Sequence, residues 1–205
     1  KFTHTGNVIQ TSDREVKIIA RSNKPVIAVL ENFMSDEECD KLIELSKPKL
    51  ERSKVITSDG GQDYNQARTS KGTHFELQED EFISMLDKRI SEVMNWPVEH
   101  GEAIQVLNYK VGQEFKPHMD YFLDMSVIPG TQRAATLVMY LNDVAEGGAT
   151  AFPNCGISVN PKKGSAVYFE YLDDSGHLDT LTLHSGEPVV KGEKWIATKW
   201  TRALP

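Results

Sequence analysis

The sequence predicts an α+β fold, mainly β: a double-sheet jelly roll with N-terminal helices packed on the outside. Two observations carry this. Before residue 97, two stretches place apolar residues at helical spacing. From Ala103 onward the texture changes to short apolar runs separated by Gly, Pro and Asp turn signals, and seven or more short strands after two helices suit a two-layer β architecture. At 205 residues the chain is long enough to bury its own core. One domain over residues 1–205 is expected, with a helical support region at about 35–97 and a β core at about 103–202.

The elements follow in order. Residues 1–24 are polar and mixed and read as a peripheral strand or arm, with His4 in a disordered tail. Pro25 to Leu30, rich in Val, Ile and Ala, reads as the first strand. Ser35-Asp36-Glu37-Glu38 is a capping box: Ser35 can accept from the N3 amide while Glu38 reaches back. A helix follows to about Ser46, stopped by Pro48, with Cys39, Leu42 and Ile43 on its inner face. Residues 57–74, with Gly60-Gly61, Asp63 and Asn65, read as a loop that contains Arg68. A second helix runs from about Asp80 to Asn95 on the stripe Phe82, Met85, Leu86, Ile90, Val93 and Met94. Acidic residues from Glu76 to Glu81 suit its positive end, and Trp96-Pro97 ends it. Strands are expected at 103–110, 115–122, 133–141, 149–152, 165–171, 179–184 and 193–202. Turns are expected at Val111-Gly112, Pro129-Gly130, Gly147-Gly148, Pro161 to Gly164 and Asp173 to Gly176. The mouth of such a barrel suits a small ligand.

Bulk properties narrow the function classes. The formal charge is −7, from 30 acidic and 23 basic residues, which tilts against nucleic acid as a partner. Cys39 and Cys155 form no CxxC pair, so neither a zinc ribbon nor a disulfide scaffold is indicated, and two buried thiols are expected. No apolar run approaches a membrane span. A soluble, cytoplasmic protein is expected. The chain starts at Lys1 and so looks trimmed, and a cleaved leader is compatible with it.

The chemistry gathers around His118-Met119-Asp120. On a strand, an i, i+2 spacing puts both side chains on one face. An imidazole and a carboxylate converging this way supply two-thirds of the facial triad that holds non-heme Fe(II) and leaves positions open. The third ligand must be a second His from elsewhere, and the best candidate is His184, at the end of the alternating run Thr180-Leu181-Thr182-Leu183-His184. Its rival, His177, lies in a turn and reads as a solvated loop residue. Ten positions after His184, Lys194 in Gly192-Glu193-Lys194-Trp195 offers the cation that a dicarboxylate cosubstrate needs. Tyr109 and Thr150 can add hydroxyl donors. Each residue also has a plainer reading. The His-x-Asp pair can be an exposed strand edge, Lys194 an exposed strand cation, Tyr109 barrel filler, and Thr150 a strand residue chosen for shape. His74 and His100 read as surface residues.

Several further stretches carry a resemblance. Asn108-Tyr109, Pro117-His118-Met119-Asp120 and Arg133-Ala134-Ala135-Thr136-Leu137 resemble prolyl 4-hydroxylases. So do Tyr140-Leu141-Asn142-Asp143-Val144, Gly147 to Pro153, Pro161 to Val167, and His184 with Pro188-Val189 and Gly192-Glu193-Lys194-Trp195 to Trp200. The resemblance covers roughly 104–202, with a weaker echo in Arg68-Thr69-Ser70. It implies a small, soluble, single-domain Fe(II)/2-oxoglutarate-dependent dioxygenase on a double-stranded β-helix, with ascorbate as reductant. The implied reaction hydroxylates peptidyl proline at the 4-carbon while 2-oxoglutarate is decarboxylated to succinate. The alternative keeps the cofactors and changes the substrate to a free amino acid, a lysyl side chain or a small metabolite. By position, His118, Asp120 and His184 resemble the iron ligands, and Lys194 resembles the partner of the distal 2-oxoglutarate carboxylate, with Tyr109 and Thr150 beside it. Arg68 and Trp200 resemble substrate-peptide contacts. The implied partners are dioxygen and a proline-containing peptide or collagen-like protein, with no nucleic acid and no membrane; a homodimer is compatible. One departure stands out: the family often has Tyr where this chain has Phe115.

Overall fold

The computed structural model describes residues 2–56, 61–126, 128–172 and 177–203. Three antiparallel strands come first: β1 (Val8–Gln10), β2 (Glu15–Asn23) and β3 (Val26–Glu31). The strand expected from Pro25 is therefore the third. The peripheral strand or arm expected in residues 1–24 is two strands at the edge of the large sheet, and the bounds of β2 are hard to read because it buries only Val16 and Ile18. The N-terminal tail is also placed rather than loose. Phe2 stacks on Tyr168 with ring centroids 5.0 Å apart, and His4 Nε2 lies 2.8 Å from the Val93 carbonyl.

α1 (Asp36–Ser46) begins as its capping box requires. Ser35 Oγ accepts from Glu38 N at 3.2 Å, and the Glu38 carboxylate accepts from Ser35 N at 2.9 Å. A 3₁₀ turn at Lys47–Lys49 holds Pro48. Then come β4 (Glu51–Arg52), β5 (Val55–Ile56), β6 (Gln62–Asp63) and β7 (Lys71–Phe75). The stretch 57–74 is thus not a loop throughout. β7 has little strand propensity of its own and is fixed by pairing with β4 and β8. Gly72 suits this crowding, since a Cβ there would sit 2.7 Å from Leu107 Cδ2 and 2.9 Å from the Val106 carbonyl. α2 (Glu81–Met94) matches its expected bounds, with Asp80 as N-cap and left-handed Asn95 as C-cap.

The β core comprises β8 (Ile104–Tyr109), β9 (Phe115–His118), β10 (Arg133–Tyr140), β11 (Glu146–Gly147), β12 (Thr150–Phe152) and β13 (Ile157–Val159). β14 (Ala166–Glu170), β15 (His184–Gly186), β16 (Val189–Lys191) and β17 (Lys194–Arg202) complete it. The large sheet runs β1-β2-β3-β14-β10-β17-β8-β7-β4, and the smaller one β13-β12-β15-β9; β11-β16 and β5-β6 pair separately. Two expected strands need correction. The one at 115–122 stops at His118. The one at 179–184 is a 3₁₀ turn, Thr180–Thr182, and the strand begins at His184. The Asp179 carboxylate accepts from Leu181 N at 2.9 Å and closes that turn, a local bond that outcompetes extended pairing. β11, β13 and β16, at two or three residues each, are too short to show a period. The expected turn at Asp173 to Gly176, and Gly60, lie outside the described residues.

Alternation along the large sheet separates two cores. Ile104, Val106, Leu137, Met139, Trp195 and Ala197 pack against Leu42, Leu86 and Ile90 of the helices. Leu107, Tyr109, Val138, Tyr140, Phe169 and Ile196 point the other way, into the space between the sheets. This is a double-stranded β-helix with helices on its outer face. Cys39 is buried and Cys155 only half-buried, and both are free; the expectation of two buried thiols holds for Cys39 alone. Among the described residues no helix is long and apolar enough to cross a membrane.

Candidate metal centre and its pocket

Strand register builds the site. In the small sheet His118 and His184 are direct partners, their ring centroids 4.3 Å apart. In the large sheet Lys194 is the direct partner of Tyr109, and Trp200 of Thr136. All eight residues singled out from the sequence (His118, Asp120, His184, Lys194, Tyr109, Thr150, Arg68 and Trp200) line one pocket between the sheets.

Asp120 reaches the two histidines, though not by the route expected. It lies two residues beyond the end of β9, so strand pleat does not aim it. Its Oδ1 is 3.3 Å from His118 Nε2 and its Oδ2 3.4 Å from His184 Nε2. One ligand atom from each residue falls within 4.8 Å of the others. Both rings are held by their far nitrogens. His118 Nδ1 lies 2.8 Å from the Lys116 carbonyl, and His184 Nδ1 3.0 Å from that of Thr182. A carbonyl only accepts, so each Nδ1 carries the proton and each Nε2 can turn a lone pair toward the shared point. The 3₁₀ turn is what brings the Thr182 carbonyl to this place.

Electrostatics agree with cation binding. Burial, with His184 nearby, pushes the His118 pKa below the usual imidazole range and favours the neutral, ligating form. Burial would raise the Asp120 carboxyl, but His184 and His118 hold it well below the usual range, so it stays ionised. Two imidazole nitrogens and a carboxylate, with Asp120 and His184 buried and His118 half-buried, fit a divalent iron ion.

Lys194 is 1% exposed and makes no hydrogen bond or ion pair with a described residue. Burial pushes its pKa down to about 8, with the Glu187 charge opposing. Its ammonium lies 5.4 Å from the Tyr109 ring centroid; a buried ammonium without an anion beside it is costly, and a carboxylate from a ligand would complete it. Thr150 Oγ1 bonds the Tyr140 hydroxyl at 2.7 Å. Arg68 donates from Nη2 to Gln105 Oε1 at 2.6 Å and from Nη1 to the Lys54 carbonyl at 3.2 Å, while its Nε is buried without a partner. The indole nitrogen of Trp200 is likewise buried without a partner. Phe115 stacks on His118 at 3.5 Å between centroids, with the Arg68 guanidinium 4.8 Å from its ring. His177 is exposed and lies outside the triad, and His74 is exposed beside Glu76.

Sequence reasoning missed four neighbours. Thr136 Oγ1 donates to Asp120 Oδ2 at 2.7 Å, and the Tyr171 hydroxyl donates to the same oxygen at 3.2 Å. Arg133 Nη1 donates to the Asp120 carbonyl at 3.3 Å, and Tyr140 holds Thr150. Period-two alternation could have found three of them. Thr136, Val138 and Tyr140 share one face of β10, and Val167, Phe169 and Tyr171 share the matching face of β14 and its exit.

The sequence pattern of the 2OG-Fe(II) oxygenase superfamily matches residues 104–202, β8 through β17. Prolyl 4-hydroxylase 5 of Arabidopsis thaliana is 42% identical over 219 aligned residues, covering 97% of this chain and 75% of the relative. Probable prolyl 4-hydroxylase 10 of the same plant is 42% identical over 212, covering 93% and 73%. The crystal structure of the viral collagen prolyl hydroxylase from Paramecium Bursaria Chlorella virus-1, in its 2OG complex, superposes with a TM-score of 0.70 at 34% identity. It covers 87% of this chain and 96% of that one. On this likeness along nearly its whole length, the chain belongs to the prolyl 4-hydroxylase family of 2OG-Fe(II) oxygenases.

Proposed function

We propose that this protein hydroxylates peptidyl proline at the 4-carbon, with oxidative decarboxylation of 2-oxoglutarate to succinate at a non-heme Fe(II) centre. One observation carries the reading most directly. A buried lysine ammonium with no hydrogen-bond or ion-pair partner among the described residues shares a pocket with two imidazoles and a carboxylate set to hold a metal.

His118, His184 and Asp120 would hold the iron, and three protein ligands leave coordination positions for 2-oxoglutarate and dioxygen. Bound iron supplies the dioxygen chemistry that puts one oxygen atom into a carbon–hydrogen bond and the other into succinate. The protein positions and shields. Lys194 pairs with the distal carboxylate of 2-oxoglutarate, and the hydroxyls of Tyr109 and Thr150 donate beside it. Tyr140 keeps Thr150 in its rotamer. Phe115 gives an apolar wall beside the His118 ring, which suits a pyrrolidine and keeps water from it.

The two unpartnered donors speak for a peptide. Arg68 Nε and the Trp200 indole N–H are buried without hydrogen-bond acceptors among the described residues. A proline-rich or collagen-like peptide in an extended helix has backbone carbonyls with no internal partners to meet them. The net charge of −7 favours such a partner over nucleic acid.

The test is incubation with proline-rich peptides, Fe(II), 2-oxoglutarate and ascorbate, read by mass spectrometry. Peptidyl proline should gain one oxygen atom in step with succinate release. Oxygen gain only on a free amino acid, a lysyl side chain or a small metabolite would overturn the substrate assignment and leave the cofactors in place.

A further inference from the structure

We propose that Thr136 and Tyr171 are positioning residues of the metal centre: they hold the Asp120 carboxylate by Oδ2 and leave Oδ1 as its metal-binding oxygen. This rests on the iron-centre reading above and assigns work to two residues that reading does not use.

The need for such a device follows from the fold. Asp120 lies past the end of β9, where no ladder bond restrains it. Its side chain is nonetheless placed, because hydroxyls from two other elements converge on one oxygen. Thr136 comes from the middle of β10 and donates at 2.7 Å; Tyr171 follows β14 and donates at 3.2 Å. Both are buried, at 0% and 1% exposure, so water does not compete for these bonds. From outside, Arg133 fixes the Asp120 backbone carbonyl at 3.3 Å.

Each oxygen of a carboxylate offers about two in-plane acceptor directions. At Oδ2 two hydroxyl protons take them, and His184 Nε2 also lies 3.4 Å away. Oδ1 lies 3.3 Å from His118 Nε2 and accepts no hydroxyl hydrogen bond among the described residues. A cation drawn to this carboxylate meets free lone pairs at Oδ1 alone.

The consequence is chemical. A carboxylate free to rotate can chelate a metal through both oxygens and fill a fourth coordination position. Two hydroxyls on Oδ2 confine Asp120 to a single bond. That preserves the open positions a dioxygen-using centre requires.

The experiment uses metal-free protein under anaerobic conditions, titrated with Co(II) and with Fe(II). Tyr171→Phe and Thr136→Val each remove a hydroxyl while keeping side-chain shape. Each should weaken metal binding about tenfold, as loss of outer partners of metal ligands does. The Co(II) ligand-field spectrum should also change in the double variant, as the freed carboxylate alters the coordination number. The proposal fails if the double variant keeps wild-type affinity and spectrum while Asp120→Ala abolishes binding; the iron-centre reading then stands without it. Weaker binding with an unchanged spectrum also overturns it, since general loosening would do that. Should the double variant not fold, Tyr171→Phe alone carries both readouts. A wild-type protein that takes up neither ion removes the iron-centre reading itself.

Discussion

Burial makes Lys194 a pH-sensitive part of the pocket. Its pKa of about 8 means the ammonium is present at neutral pH and is lost as pH rises through that value. A bound carboxylate favours the charged form, so binding above about pH 8 must take up a proton. KM for 2-oxoglutarate should be flat between about pH 6.5 and 7.5 and climb toward tenfold per unit above about pH 8. A profile level to pH 9.5 would remove Lys194 from cosubstrate binding. Lys194→Ala should raise that KM by roughly 30-fold or more at neutral pH, the usual cost of truncating one partner of a buried charge pair. The ligands make a simpler demand. Asp120→Ala or His184→Ala should abolish 2-oxoglutarate turnover while circular dichroism shows the fold intact. Unchanged succinate release in either variant would refute the assignment.

Helices were legible in the sequence because their signals are local. The capping box Ser35–Glu38, Pro48, the apolar stripe from Phe82 to Met94 and Trp96-Pro97 marked both helices to within a residue or so. Strands were legible where they are long and face two different cores, as in β8, β10 and β17. They were not where partners decide them, as in β7, or where they span two or three residues. The site shows the same division. His118, Asp120 and His184 were the right residues for partly wrong reasons. His184 opens a strand instead of closing one, and Asp120 is aimed by Thr136 and Tyr171 instead of by strand pleat. No spacing rule reveals Arg89. It lies on α2, is 2% exposed, and donates to Asp13 before β2, to Glu38 of α1 and to the Phe33 carbonyl. One guanidinium thus joins three elements. Arg89→Met should cost about 3 kcal/mol in urea unfolding, low in the range for a broken buried pair because Asp13 keeps some contact with water. Arg89 bonds hold the Asp13 and Glu38 carboxyls below their usual values, in Glu38 against its burial. Their contribution is therefore present above about pH 4.5 and lost as pH falls below it. Wild-type stability should drop more steeply than that of Arg89→Met in that acid range, and parallel slopes would count against this role.

The pocket lies where the two sheets face each other, and neither sheet completes it alone. The small sheet brings His118 and His184; the large one brings Lys194 and Tyr109 and the hydroxyls that steady Asp120. A metal held by His118, His184 and Asp120, with a dicarboxylate reaching Lys194, ties the layers together from inside. Neither ligand has such a site in the unfolded chain, so both favour the folded state. At about 100 times its dissociation constant, each adds about 2.7 kcal/mol. For a chain of this size that corresponds to a melting-temperature rise of about 5–10 °C per ligand. Metal-free protein should therefore melt lowest. Mn(II) or Co(II) should raise the transition, and 2-oxoglutarate should raise it again only when metal is present. A chelator should reverse both steps. In Asp120→Ala the metal step should vanish, and in Lys194→Ala the metal step should persist while the 2-oxoglutarate step shrinks. That ordering separates ligands that bridge the sheets from ions bound elsewhere on an acidic surface, which would stabilise wild type and Asp120→Ala alike.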